Sequence, residues 1–70
     1  MRSTLKQSGQ RLKVARIEQG MSPEEFGERY GVSGMTVRRL EDGRQKRLTA
    51  RTMMLVAKGI GEPVHEVFSL

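Results

Sequence analysis

Apolar residues recur along this chain at spacings of three and four, and short polar or glycine-containing stretches separate them. In the segment SPEEFGERY, Phe26 and Tyr30 are four residues apart, which places both on one face of a helix. Val37 and Leu40 repeat this spacing in GMTVRRLE. No stretch alternates apolar and polar residues as a β-strand would. The pattern predicts an all-α fold, a compact domain of five helices.

Capping residues predict where the two central helices begin. Ser22 is suited to the N-cap, Pro23 to the first helical position, and Glu25 completes a capping box with Ser22. The predicted second and third helices cover about residues 23–30 and 34–42.

The other helices are predicted around this pair. A first helix begins near Leu5, or near Ser8 if Gly9 weakens its first turns. Thr49 begins a fourth helix, and Pro63 opens a short fifth one. The apolar positions of the first helix are Leu5, Leu12, Ala15 and Ile17. We expect residues 1–7 to form an arm and the start of helix 1, and residues 8–70 to form one domain.

Composition restricts the classes of protein to which the chain can belong. With 70 residues, of which 36% are apolar, there is material for one small core. The absence of cysteine excludes disulfides and thiolate metal sites, and no cofactor is expected. No apolar run approaches the roughly 20 residues of a membrane span. The first ten residues lack the hydrophobic block of a secretory signal, so we expect a cytoplasmic protein.

The net charge of +5 is concentrated in two segments. Residues 1–19 carry five basic residues and one acidic residue, and residues 38–51 carry six and two. Residues 20–37 between them are mildly acidic, with one basic and three acidic residues. This distribution suits binding to a polyanion such as nucleic acid. The alternative is a basic surface that is merely solvated.

Four residues, distributed over the second helix, the turn after it and the third helix, carry a family resemblance. They are Gly27, Gly31 four residues later, Val37 six after that, and Leu40 three further on. With the SPEE helix start, RRLEDG and the closing GIGEPVHEVF, residues 8–68 resemble the helix-turn-helix domain of lambdoid phage repressors and Cro proteins, the XRE family. The resemblance implies a transcriptional repressor that binds double-stranded DNA. It also implies a structural ion pair between Arg16 and Glu41.

The resemblance implies that helix 3 lies in the DNA major groove. Arg39 is the first choice for reading a base, because a guanidinium can bond guanine O6 and N7 together, and Met35 can pack on a thymine methyl. The alternative is that Arg38 and Arg39 bind only phosphate. Pro23 and Gly34 stand where family members often carry contact glutamines, so those contacts are absent. The positions assigned to the base edges are Ser33, Gly34, Met35, Thr36, Arg38 and Arg39.

Further basic residues are predicted to bind phosphates on either side of the groove. The basic connector after helix 3, residues 44–48, supplies three of them. Helix 1 supplies two, and the backbone amides that follow Ser22 can face a phosphate. An arm residue, Arg2, can enter a minor groove if the arm orders. The alternative for each lysine or arginine is a solvated surface charge. The phosphate-binding set is Arg11, Lys13, Ser22, Arg44, Lys46 and Arg47.

Members of the family commonly dimerise on palindromic operators, with half-sites about one helical turn apart. The resemblance therefore implies a homodimer on DNA, with an interface in residues 61–70 that uses Val64, Val67 and Phe68. The same residues are needed to close a small core, so dimerisation of the free protein stays open.

Two other classes of function were weighed against the DNA-binding repressor. An antitoxin-type regulator would have a protein as its main partner and use DNA binding for autoregulation. Many antitoxins wrap their toxin with a disordered tail, and this sequence shows no such tail, which makes this alternative the less favoured one. An enzyme is not expected, since His65 is the single histidine and has no evident nucleophile partner. No small-molecule ligand is evident either.

Overall fold

Five helices follow one another in the computed structural model, which describes residues 5–68. No strand occurs within that range, so the predicted all-α fold is confirmed. The second and third helices match the predicted ranges to within one residue, and the first begins at the earlier of its two predicted starts. The helices are α1 (Leu5–Glu18), α2 (Pro23–Tyr30), α3 (Gly34–Glu41), α4 (Ala50–Ile60) and α5 (Val64–Phe68).

The predicted N-terminal arm falls mostly outside the described residues. Residues 1–4, which include Arg2, lie there, and residues 5–7 belong to α1. The last two residues of the predicted dimer segment, 69 and 70, also lie outside the described range.

The capping box at the start of α2 forms as its sequence predicts. The Ser22 hydroxyl accepts a hydrogen bond from the backbone N–H of Glu25 at 3.1 Å, and the Glu25 carboxylate accepts one from the Ser22 N–H at 2.9 Å. Hydrogen bonding with Ser22 lowers the pKa of Glu25, because it favours the ionised carboxylate. Gly31 ends the helix with a φ of +79°, a conformation that glycine adopts without steric cost.

The core is aliphatic apart from the rings of Phe26 and Phe68, and every helix contributes to it. Its largest fully buried apolar side chains are Phe26, Leu12, Leu40, Val37, Val56 and Val67. The Ser8 hydroxyl is buried as well, and it donates to the carbonyl oxygen of Val67 at 2.6 Å, which ties α1 to α5.

Gly9 lets α1 cross α3 at very short range. A Cβ atom added at Gly9 would collide with the carbonyl group of Leu40 near the end of α3. The sequence interpretation of Gly9 as a weak point in α1 therefore missed its role in packing. Ile17, one of the apolar positions of this helix, is 57% exposed and lies outside the core. The buried stripe of α1 runs through Ser8, Gly9 and Leu12 instead.

Arg16 joins three parts of the fold. Its Nε and Nη2 donate to the two carboxylate oxygens of Glu41 at 2.7 and 2.8 Å, and its Nη1 donates to the Met21 carbonyl at 2.8 Å. Only 13% of the Arg16 side chain and 7% of the Glu41 side chain are exposed. The hydrogen bonds to Glu41 raise the pKa of Arg16 above its ordinary value. The α1 helix is thereby fastened both to the loop before α2 and to the end of α3.

Candidate nucleic-acid interface

The α3 helix has one buried face and one exposed face. Val37 and Leu40 are buried in the core. Residues three and four apart share a helix face, so Met35, Arg38 and Arg39 lie together on the opposite side. All three are exposed, Met35 to 62%. This face joins an apolar side chain to two guanidinium groups and can contact both base edges and phosphates.

The other residues predicted to face the bases have structural contacts at the start of α3. The Ser33 hydroxyl accepts a hydrogen bond from the Thr36 N–H at 3.0 Å, and the two hydroxyls are 3.0 Å apart. Gly34 lies beside Glu24 of α2, because a Cβ atom added at Gly34 would be 3.3 to 3.4 Å from atoms of Glu24. Ser33 and Thr36 therefore cap the helix, and Gly34 offers no side chain. Base contacts by these three residues stay a prediction.

Glu24 is a neighbour of this face that sequence reasoning missed. Its Oε2 accepts a hydrogen bond from Arg38 Nε at 2.7 Å and lies 2.6 Å from Arg38 Nη2. Both side chains are more than half exposed. The sequence feature that could have indicated this contact is Gly34. In the sequence this glycine was interpreted as a lost base contact, but the missing side chain makes room for Glu24 of α2.

The basic connector begins folded back on the end of α3. The backbone N–H groups of Arg44 and Gln45 both donate to the carbonyl oxygen of Arg39, at 2.8 and 3.2 Å. The Gln45 side chain then donates to the Arg47 carbonyl at 2.6 Å. Arg44, Lys46 and Arg47 are exposed. The connector that carries the three predicted phosphate-binding residues is thus attached by Arg44 and Gln45 to the last turn of α3.

Two lysines of α1 extend this basic surface. The aliphatic stem of Lys6 lies beside Gly43, 3.4 Å from a Cβ added there, so Lys6 is a neighbour of the connector that the sequence assignments left out. Lys13 is four residues after Gly9, which places it on the side of α1 that faces α3. It is exposed, and its phosphate role stays a prediction.

Arg11 points to a different part of the molecule. Its Nη1 donates to the Glu66 carbonyl at 2.6 Å, and its Nη2 forms an ion pair with Glu62. Arg11 is three residues after Ser8, on the side of α1 that faces α5. These contacts attach α1 to the C-terminal helix, so this placement does not support the phosphate role predicted for Arg11.

The start of α2 is poorly suited to an anion. The N–H groups of Ser22 and Glu25 are both used in the capping box, and Pro23 has none. Glu24 and Glu25 add two carboxylates to the first turn. Because these charges repel phosphate, the placement weakens the phosphate contact predicted at Ser22.

The predicted dimer residues serve the core of a single chain. Val67 is fully buried, Phe68 is 7% exposed, and Val64 is half-buried against the same cluster. Val67 and Phe68 therefore fill the core of one chain, and this burial does not support the dimer contacts predicted for them. The expectation that these residues close the core is the one that the structure supports.

Residues 5–68 offer neither a metal cluster nor a membrane-spanning helix. No group of three or more histidine, cysteine, aspartate or glutamate side chains in this range is placed to hold a metal ion. None of the described helices combines the length and the apolar character that crossing a membrane requires.

Comparison with known proteins agrees with the all-α fold. No curated protein gives a significant sequence match. The crystal structure of the clp gene regulator ClgR from Corynebacterium glutamicum superposes with a TM-score of 0.69 at 26% sequence identity, over 96% of this chain and 71% of that one. A family model described as a helix-turn-helix domain matches residues 7–69. The chain therefore belongs to the helix-turn-helix domain family.

Proposed function

We propose that this protein is a sequence-specific DNA-binding repressor of transcription, of the phage repressor and Cro type. The observation that carries the proposal is the exposed face of α3, where Met35, Arg38 and Arg39 lie side by side next to a basic connector. An α-helix fits the major groove, and arginine side chains at its surface can reach guanine. The similarity to a protein named as a gene regulator supports the same class of function.

In the proposed complex, the two groups of side chains have different tasks. The face of α3 reads base edges, with Met35 on a thymine methyl and the arginines on guanine. Lys6, Lys13 and the connector residues Arg44, Lys46 and Arg47 bind phosphates on either side, which fixes the depth and orientation of α3. Repression follows from occupation of an operator that overlaps a promoter.

Two symmetric half-sites about one helical turn apart would accommodate two copies of the domain. The interface between them would not use Val67 or Phe68, which are needed inside each chain. We propose that the pairing forms on a palindromic operator, in the bacterial cytoplasm where such an operator is found.

Selection of bound DNA from a random double-stranded library tests the proposal. We expect enrichment of one consensus, and binding to that consensus that random-sequence competitor DNA does not displace. Arg39→Ala should weaken consensus binding by about 5-fold or more, and Arg29→Ala, which removes the same charge from the end of α2, should have a smaller effect. Equal affinity for consensus and random DNA would contradict the proposal.

A further inference from the structure

Arg38 is held by a carboxylate from another helix. Both bonds from Arg38 use one edge of its guanidinium, since Nε donates to Glu24 Oε2 at 2.7 Å and Nη2 lies 2.6 Å from the same oxygen. A guanidinium has five N–H donors, one on Nε and two on each Nη atom. The Glu24 contact occupies the side edge and leaves the end edge, formed by Nη1 and the second hydrogen of Nη2, free to bind.

The free end edge has the geometry that guanine recognition needs. Two parallel N–H donors on neighbouring nitrogens match the O6 and N7 acceptors that guanine presents in the major groove. A phosphate contact is less favourable here, because the negative charge of Glu24 offsets the positive charge of Arg38 and repels phosphate oxygens. Charge and geometry together favour base reading over backbone binding by Arg38.

We propose that Glu24 is a positioning residue that determines specificity, holding Arg38 so that its Nη1–Nη2 edge reads a guanine in the operator. The proposal rests on the proposed function and identifies the base that one side chain reads. It also makes Arg38, and not Arg39, the first choice for reading a base. The side chain of Arg39 has no hydrogen-bond or ion-pair partner among the described residues. Its guanidinium must therefore be ordered during binding, whereas that of Arg38 is oriented beforehand.

Gly34 makes this arrangement sterically feasible. A Cβ added at Gly34 would lie 3.3 Å from the Cα and Cγ atoms of Glu24 and 3.4 Å from its Oε2. The glycine therefore leaves the space in which the Glu24 side chain crosses from α2 towards Arg38.

The pair can be tested without unfolding the protein. Both side chains are more than half exposed, and exposed ion pairs contribute little to stability. We therefore expect Glu24→Ala to keep the melting temperature of the wild type. Glu28→Ala is the matched control, because it removes the same charge from the exposed surface of α2 one turn further on, without a contact to Arg38.

The experiment measures base preference at each operator position for the wild type and for Arg38→Lys, Glu24→Ala and Glu28→Ala. Arg38→Lys keeps the charge and loses the two-nitrogen edge, so the position at which it lowers the guanine preference identifies the contacted base. We expect a decrease of about 5- to 150-fold there, the range of a good bidentate contact. Glu24→Ala should lower the preference at that same position, by about 5-fold or more.

The outcomes separate this inference from the proposed function. If Glu24→Ala and Glu28→Ala both raise affinity for all sequences equally and leave base preference unchanged, Glu24 acts only as a surface charge and the inference is wrong. Retention of the full guanine preference by Arg38→Lys would also overturn it. If the wild type selects no consensus at all, the proposed function itself fails at the first step.

Discussion

In this small domain, a charged residue can have a structural role that its polarity alone does not indicate. Arg16 could have been one more cation for a phosphate, but all three of its nitrogen atoms are engaged inside the protein, with Glu41 and Met21. A charge that is largely buried is costly to leave without its partner, because it has lost its hydration. The contribution of Arg16 to DNA binding is therefore expected to be indirect, through the position of α3.

Removal of one member of this pair is the first prediction. The Glu41 side chain is 7% exposed in the intact domain, and Arg16→Ala removes the two hydrogen bonds to its carboxylate. We therefore expect a loss of about 3 kcal/mol in the free energy of unfolding. Urea denaturation measures it. The control is Arg29→Ala on the surface of α2, which should cost less than about 0.5 kcal/mol. Equal losses of unfolding free energy in the two variants would show that the buried ion pair stabilises the fold no more than a surface arginine does.

The second prediction concerns acid. Since the pKa of Glu25 is lowered on folding from its ordinary 4.5, its stabilising contribution is fully present above that value and is lost as the pH falls through the lower folded pKa. Glu25→Gln should therefore lose less stability than the wild type when the pH is lowered from 6 to 3. Urea midpoints at both pH values measure the difference, with Glu28→Gln as control. Parallel curves for wild type and Glu25→Gln would contradict the assignment.

At the scale of elements, the position of α3 depends on how closely other helices approach it. The α1 helix reaches it through Gly9, and the end of α2 reaches the turn before it through Gly27, where an added Cβ would collide with the Val32 carbonyl oxygen. Backbone atoms at these crossings leave no room for a methyl group. The position of the exposed face of α3 is thereby set by contacts on its opposite side.

Gly9→Ala is the third prediction. Alanine favours a helix over glycine by about 1 kcal/mol, but the added methyl would collide with the Leu40 backbone, which cannot move away as a flexible side chain can. We expect the collision to dominate, with a net loss of about 2 kcal/mol or more. Gln10→Ala, at the exposed neighbouring position, should be neutral within about 0.5 kcal/mol. A stabilised Gly9→Ala variant would rule out the close crossing.

For the whole molecule, the charge distribution is the property that bears on function. The net charge of +5 is not spread evenly, since Arg11 is bound to Glu62 and Arg16 to Glu41, both within the protein. The cations that remain exposed near α3 come from its own surface, from the connector and from α1. The folded domain therefore keeps exposed positive charges near α3, although Glu24 offsets that of Arg38.

The fourth prediction is the effect of the connector on salt dependence. Lys46→Ala should weaken binding to consensus and random DNA by the same factor, and it should reduce the slope of log affinity against log salt by about 0.9, the value for one phosphate contact. Fluorescence anisotropy across a salt series measures both quantities. Lys58→Ala in α4 is the control and should leave the slope unchanged. A loss of base preference in Lys46→Ala would contradict a pure phosphate role.

Much of this molecule could be predicted from local sequence. The starts of α2, α3 and α4 follow from Ser22, Ser33 and Thr49, whose hydroxyls each accept a hydrogen bond from the N–H three residues later. These bonds join near neighbours in the chain, so short-range rules suffice to predict them. The exposed face of α3 was predictable for the same reason, because helical periodicity places Arg38 and Arg39 opposite Val37 and Leu40.

The roles of individual charges were decided by tertiary structure. Arg11 and Lys13 are two residues apart and looked equivalent in sequence, yet α5 takes up one of them and leaves the other exposed. Glu24 became a partner of Arg38 because the turn brings residues 14 positions apart within 2.7 Å. Sequence alone determined the helices, the surplus of positive charge and the exposed face of α3. Which charges are free to meet DNA depends on long-range contacts, and these exist only once the helices have packed.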